Sequence, residues 1–372
     1  MTLPLRPELA GVEPYGAPQL DVPVCLNVNE NPYAPSAAVA DDIAQAVKNA
    51  AATLNRYPNR DAMQLRRALA DYLAKESSVL IDPGRIWVAN GSNEIMLHIL
   101  QAYGGQGRAL MSFAPTYSMY HEYARNTGTR WIAGHRNEDF TLDLEHVQDM
   151  LERERPAVLV LASPNNPTGT ALTIEEIMRV AELTRTSGPI IDKTETSTLL
   201  VIDEAYGEFR REGTPSALSV LDRYPHLVVT RTMSKAFAMA GLRLGYMAAA
   251  QTVVDDLMKV RLPYHLSAIT QAAALAAIDH SDELMGCIAH LRETRDDLVR
   301  WLRAEGFEAV ESDANFVLFG RFDEREKVFN ALLERGILIR VVGPDGWLRV
   351  SVGTDEEDEA FRRALKEVTT HE

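Results

Sequence analysis

Short, almost uninterrupted apolar runs alternate along this chain with segments whose apolar residues recur every three or four positions. RIWVAN (85–90), RALMSF (108–113), TRWIAG (129–134), AVLVLAS (157–163), LLVID (199–203), LVVTR (227–231) and LGYMAAA (244–250) read as strands. Amphipathic segments fall between them, beginning with a helix expected over 92–103. Strands apolar on both faces and separated by helices predict βαβ units around a mainly parallel sheet covered on both sides. Ligands of such sheets gather at the carboxyl ends of the strands. SPNNPTG (163–169), DEAYGEF (203–209) and TRTMSK (230–235) each follow a strand end, so the pattern predicts that they converge.

Beyond residue 250 the pattern changes. A long helix is expected over 253–277, broken at Pro263, where a ring replaces the amide donor. A second, strongly amphipathic helix spans 283–306 and ends at Gly306. NFVLFGR (315–321), GILIRV (336–341) and WLRVSVG (347–353) read as strands of a smaller α+β lobe. The N-terminal arm carries Pro4, Pro7, Pro14, Pro18 and Pro23 and is expected to wrap against another part of the molecule. These shifts divide the chain into 1–45, an arm with part of the small domain; 46–262, the large domain; and 263–372, the C-terminal small domain. The polar stretch IDKTETST (191–198) precedes LLVID and predicts an exposed connection; it suggests no chemistry.

Composition narrows the function classes. Of 372 residues, 46% are hydrophobic, enough for a substantial core. The net charge of −15 disfavours nucleic-acid binding, so a site for small anions must concentrate arginines locally. There is no apolar run long enough for a membrane span and no secretory-type N-terminal pattern. Two cysteines, Cys25 and Cys287, make no disulfide framework or CxxC pair; they suit a cytoplasmic protein without a metal site.

Candidate chemistry centres on TRTMSKAFAMAGLRLGY (230–246), where Lys235 stands alone among small apolar residues. By itself it reads as well as a surface lysine as a buried amine. Thr232, Ser234 and Arg243 around it, with Gly241 and Gly245, suit an anion together with an aldehyde that an amine of lowered pKa could capture. Pyridoxal phosphate carries both groups. It would require a carboxylate for its ring nitrogen, and Asp203 ends an apolar strand, although such a residue alone is more often a cap or a solvated turn. Tyr206 and Asn166 could face the phenolic oxygen. Gly91-Ser92-Asn93 opens a helix and could cup a phosphate, or be an ordinary cap. Tyr117 could stack on the ring or be core.

SPNNPTG, DEAYGEF and TRTMSKAFAMAGLRLGY, in that order and spacing, resemble the fold-type I pyridoxal-phosphate aminotransferases. PELAGVEPYG (7–16), LNVNENPYAP (26–35), NRYPN (55–59), GSNE (91–94), PTYSMY (115–120) and WLRVSVGT (347–354) narrow the resemblance to the histidinol-phosphate aminotransferase family. It implies a large α/β domain with a mainly parallel seven-stranded sheet and a smaller α+β domain. It further implies that Lys235 binds the cofactor and moves the substrate proton, and that Asp203 pairs with the ring nitrogen. Asn166 and Tyr206 are implied at the phenolic oxygen, Tyr117 on the ring, and Ser92, Asn93, Ser234 and Arg243 at the phosphate. Tyr57 is implied to reach the cofactor phosphate of a second subunit, so a homodimer is expected. Arg349 and Arg340 match the family's residues for the substrate's anionic group, and Tyr15 and Asn29 match positions that close over it.

The implied reaction is transamination between L-histidinol phosphate and 2-oxoglutarate, giving imidazole acetol phosphate and L-glutamate in histidine biosynthesis. Rival readings are an aromatic amino-acid aminotransferase, a pyridoxal-phosphate lyase and a non-catalytic protein of the same fold. The chain departs from the family pattern at Ala34, where glycine is common, and at Asn93, where an acidic residue is common; an amide at Asn93 can still donate.

Overall fold

The computed structural model describes residues 3–369. The seven apolar runs form one sheet: β1 (Ile86–Ala89), β2 (Ala109–Ala114), β3 (Arg130–His135), β4 (Val158–Ala162), β5 (Leu199–Asp203), β6 (Leu227–Thr232) and β7 (Gly245–Ala249). Their order is β1-β7-β6-β5-β4-β2-β3, with β7 antiparallel to both neighbours and the other pairs parallel. Every residue of β4, β5, β6 and β7 is buried, which is why these runs lack polar alternation. Register places Ala162, Asp203 and Thr230 side by side at the carboxyl ends of β4, β5 and β6. Because β7 is reversed, its first residue, Gly245, reaches that same rim, opposite Thr232 and Ala89.

A second sheet joins β8 (Glu308–Ala309), β9 (Phe316–Gly320), β10 (Arg340–Val341) and β11 (Leu348–Ser351) in the antiparallel order β8-β9-β11-β10. The 336–341 run is not one strand. Ile337–Leu338 pairs in parallel with Val24–Cys25, and the chain then crosses at the buried Ile339 to enter the second sheet. The small core combines Leu298, Val317, Phe319, Leu348, Val350 and Phe361 with Leu26 from the N-terminal segment. Residues on both sides of the sequence boundary at 262/263 share the large core, since Leu266, Ala274, Ala277 and Leu284 pack with Val39 and the sheet.

The expected 253–277 helix is two, Gln251–Val260 and Ala268–Asp279, parted around Pro263; Ser267 caps the second by accepting from Thr270 N. The expected 283–306 helix is also two, Ser281–Met285 and Ile288–Ala304, because Gly286 and Cys287 interrupt it. Glycine is a poor helix former, and this one lies between two amphipathic faces. Gly306 adopts φ 92° just past the second helix, as a C-terminal glycine cap requires. Residues 190–195 of the polar stretch form an exposed hairpin, Ile190–Ile191 against Thr194–Glu195. Among the described residues no helix is long and apolar enough to cross a membrane, and no cluster of His, Cys, Asp and Glu could hold a metal ion.

Candidate active site

A cavity of about 520 Å³ opens at the carboxyl rim of the large sheet and extends to the second sheet. Thirteen of the fourteen site residues expected from the sequence line it: Tyr15, Asn29, Ser92, Asn93, Tyr117, Asn166, Asp203, Tyr206, Ser234, Lys235, Arg243, Arg340 and Arg349. Tyr57 does not. It is 80% exposed and stacks on Tyr264, ring centroids 4.5 Å apart.

Lys235 leaves the end of β6 and enters the cavity, where its Nζ donates to Val28 O at 2.8 Å. Among the described residues no carboxylate bonds it. Burial, aided by Arg349 and Arg243 against the pull of Glu30, pushes its pKa down to about 7. An amine in that range is substantially unprotonated at neutral pH and can act as nucleophile or base.

Asp203 lies at the floor. Its Oδ2 accepts from Tyr120 Oη at 2.8 Å and its Oδ1 from Thr230 Oγ1 at 2.9 Å and Ala205 N at 3.2 Å. Burial pushes its pKa up, while those three donors pull it down. On the other face of the sheet, Glu204 accepts from Arg231 Nε at 2.8 Å, from Ser216 Oγ and from Ala217 N. Arg231 also donates to Glu208 at 2.9 Å. Successive side chains of a strand point to opposite faces. Carboxylate and hydroxyls therefore face the cavity, and the buried ion network locks the same strand ends from behind.

One wall is polar and compact. Tyr206 Oη accepts from Asn29 Nδ2 at 2.9 Å and from Asn166 Nδ2 at 3.4 Å. Asn29 has φ 57°, and its backbone N and side-chain Oδ1 both meet Ser351 Oγ at 2.9 Å. Opposite, Gly91 begins the helix Ser92–Tyr103 at φ 82° with no side chain capping it, which leaves first-turn amides facing the cavity. Arg243, at φ 58°, donates to Ser234 Oγ at 3.1 Å. A Cβ at Gly245 would lie 2.2 Å from Ser92 N, and one at Gly91 2.8 Å from Arg243 Nη2. Only glycine permits this close packing of strand end, helix start and arginine.

Two arginines close the far wall. Arg340 and Arg349 are directly opposed across β10 and β11, so their side chains share one face. Arg349 is 5% exposed and donates to Asn166 Oδ1 at 2.6 Å and Asn27 O at 2.7 Å; its Nε is buried without a partner. Burial and the repulsion of Arg340 help push its pKa down to about 10. The Arg340 guanidinium has no hydrogen-bond or ion-pair partner among the described residues. Like charges opposed on a sheet are unfavourable unless an anion joins them. Tyr15, from the N-terminal arm, crosses the opening to hydrogen-bond Ser118 Oγ at 2.8 Å.

The aminotransferase class I and II sequence profile matches residues 22–365 of this chain. The chain belongs to that family. This aminotransferase is 56% identical to the histidinol-phosphate aminotransferase of Bifidobacterium longum, over 98% of this chain and 96% of that one. It is 53% identical to the enzyme of the same name from Thermobifida fusca, over 99% and 96% of the two chains. Its fold is similar to the crystal structure of histidinol-phosphate aminotransferase from Sinorhizobium meliloti in complex with pyridoxal-5'-phosphate: TM-score 0.85, 24% identity, 100% of this chain and 99% of that one. It is also similar to an aspartate aminotransferase variant of Thermus thermophilus, TM-score 0.78 at 25% identity over 98% of this chain and 99% of that one.

The sequence reading missed part of this aminotransferase's site. Tyr120 and Thr230, the side-chain donors to Asp203, and the Val28 carbonyl were not anticipated. Thr230 could have been found from strand alternation, which puts it on one face with Thr232. Tyr120 lies one helical turn after Tyr117 in PTYSMY. Nothing in the sequence marks Val28, because its contribution is a main-chain oxygen.

Proposed function

We propose that this chain catalyses pyridoxal-phosphate-dependent transamination between L-histidinol phosphate and 2-oxoglutarate, forming imidazole acetol phosphate and L-glutamate in histidine biosynthesis. The observation that carries this reading is the opposed pair Arg340 and Arg349, with no carboxylate bonded to either among the described residues, on the wall of the cavity that Lys235 enters. A phosphomonoester dianion matches two guanidinium forks, and a dicarboxylate can use the same pair. Full-length identity of 56% and 53% to enzymes named for histidinol phosphate supports the same substrate.

The cavity residues fit the cofactor. A buried carboxylate sits at its floor, an amine of lowered pKa enters it, and a glycine-lined helix start beside Arg243 leaves room for phosphate. When bound, pyridoxal phosphate supplies an aldehyde that captures amines and a ring that withdraws electrons from the substrate α-carbon. Asp203 would hold the proton on the ring nitrogen. Asn166 and Tyr206 would face the phenolic oxygen, Tyr117 the ring, and Ser92, Asn93, Ser234 and Arg243 the phosphate. Lys235 takes the proton from the substrate α-carbon and returns it on the other side of the transfer. Arg349 and Arg340 hold the anionic end of either substrate, with Asn29 and Tyr15 closing over it.

We assign the active form as a cytoplasmic homodimer in which Tyr57 completes the neighbouring subunit's site. Its 80% exposure and its stacking on the exposed Tyr264 support this assignment.

The test is direct. Purified protein loaded with pyridoxal phosphate is assayed with 2-oxoglutarate and either histidinol phosphate or phenylalanine. We expect kcat/KM for histidinol phosphate to be higher by roughly 10- to 150-fold, the loss of one charged anion contact being worth roughly 1.5–3 kcal/mol. Equal or greater turnover of phenylalanine overturns the substrate assignment.

A further inference from the structure

We infer that Tyr120 and Thr230 are positioning residues for this reaction, fixing Asp203 as an ionised acceptor aimed at the cofactor's ring nitrogen. The inference rests on the cofactor reading above and extends it to side chains outside the expected constellation.

Tyr120 is fully buried in the apolar core between the large sheet and the helix Met119–Thr127, with Trp87, Met96 and Val160 in the same cluster. A phenol in such a place needs a partner for its hydroxyl. The partner is Asp203 Oδ2 at 2.8 Å. The other oxygen is taken by Thr230 Oγ1 and Ala205 N. Asp203 thus faces three donors and no cation within hydrogen-bonding distance among the described residues. The carboxylate is directed by neutral groups alone, and its remaining lone pairs are left for a charged donor from the cavity. Its backbone is fixed independently, by Ser163 N to Asp203 O at 3.0 Å and Glu204 N to Thr230 O at 2.9 Å. Changing either hydroxyl therefore alters the field and orientation at the carboxylate while leaving the strand in place.

The titratable groups that bear on Asp203 come from every side. Tyr117, Tyr120 and Tyr123 lie on the segment above it, Glu204 and Tyr206 in its own loop. Lys235 and Arg349 line the cavity with it. Only Tyr120 among them bonds it directly. Loss of that donor makes the ionised carboxylate costlier, so the ring nitrogen loses its proton more readily and withdraws fewer electrons. Three readouts should then move together. Cofactor affinity should fall, the pH midpoint of the bound cofactor's visible absorption change should rise, and kcat should drop with little change in KM.

The experiment compares the unaltered protein with Tyr120→Phe, Thr230→Val and Thr230→Ser, each loaded with pyridoxal phosphate. Cofactor Kd should weaken about tenfold in Tyr120→Phe and in Thr230→Val, the expected size for one hydrogen bond to a charged group. Thr230→Ser retains the hydroxyl and should match the unaltered protein. Thermal unfolding of the cofactor-free variants checks the fold; if Tyr120→Phe does not fold, the valine and serine pair decides. Unchanged Kd and unchanged pH midpoint in the hydroxyl-free variants, in a protein that binds the cofactor normally, overturn the inference alone. Failure of the unaltered protein to take up pyridoxal phosphate overturns it together with the reading beneath it.

Discussion

At the scale of single residues, the site is organised by what burial does to charge. The Lys235 ammonium is disfavoured because burial strips its water and Arg349 and Arg243 repel it, against only the pull of Glu30. Its pKa is about 7 in the folded chain and near 10.5 when unfolded, so the unfolded chain binds more protons between those values. The cofactor-free protein therefore bears the full cost of this lysine below pH 7 and sheds it as pH rises toward 10.5. Lys235→Met should remove transamination and stabilise the cofactor-free chain at pH 6.5 by on the order of 3 kcal/mol, with the gain vanishing near pH 10.5. Denaturant unfolding at the two pH values checks this; equal gains at both would refute the buried-charge account. Residue chemistry was partly readable in advance. An isolated lysine in an apolar run, a strand-end aspartate and a pair of arginines in the final strands are visible as letters. Tyr120 and Thr230 were not, because their importance comes from strand register and a helical turn that only folding brings together.

At the scale of elements, strand ends and helix starts do the positioning. All seven large-sheet strands were readable, since strands buried on both faces leave uninterrupted apolar runs. Helix continuity was less readable. Both long helices expected after residue 250 are broken, one at Pro263 as anticipated and one at Gly286, whose flanking faces share a single periodicity. The split of 336–341 between two sheets was invisible, because the run reads as one strand and the choice depends on a partner segment at the other end of the chain. The tightest element contact is Gly245 against the start of the helix Ser92–Tyr103. A methyl group there would meet main chain, which cannot swing aside. Gly245→Ala should destabilise the fold by about 2 kcal/mol, as overpacking typically does, and weaken binding of pyridoxal phosphate. Cofactor titration with thermal unfolding measures both, and an alanine variant matching the unaltered protein in each would show that the helix start is free to shift.

At the scale of the whole molecule, the lobes meet partly through the site itself and partly beside it, where Phe209 packs with Leu291 and Phe316. Arg349 of the second sheet bonds Asn166, in the loop after β4, at 2.6 Å; outside the cavity Asp313 N bonds Gly169 O at 2.8 Å and Arg295 Nη1 bonds Phe209 O at 2.8 Å. A ligand that draws on Arg349 and Asn166 therefore acts on one of the contacts that set one lobe against the other. The proposed dimer belongs to this scale. Leu262→Asp replaces an exposed leucine two residues before Tyr264 with a charge, and we expect it to yield monomers in analytical ultracentrifugation and to lose most turnover. A fully dimeric, fully active variant would show that the subunits meet elsewhere.

The pairings Ile86–Ala89 with Gly245–Ala249, and Val24–Cys25 with Ile337–Leu338, join segments far apart in sequence. During synthesis the cavity rim cannot close until the reversed strand has left the ribosome, and Leu26 cannot find its core until nearly the whole polypeptide has emerged. Nascent chains stalled short of residue 245 should thus be protease-sensitive throughout and blind to vitamin B6, and competence to capture it should arrive late and abruptly rather than in proportion to length.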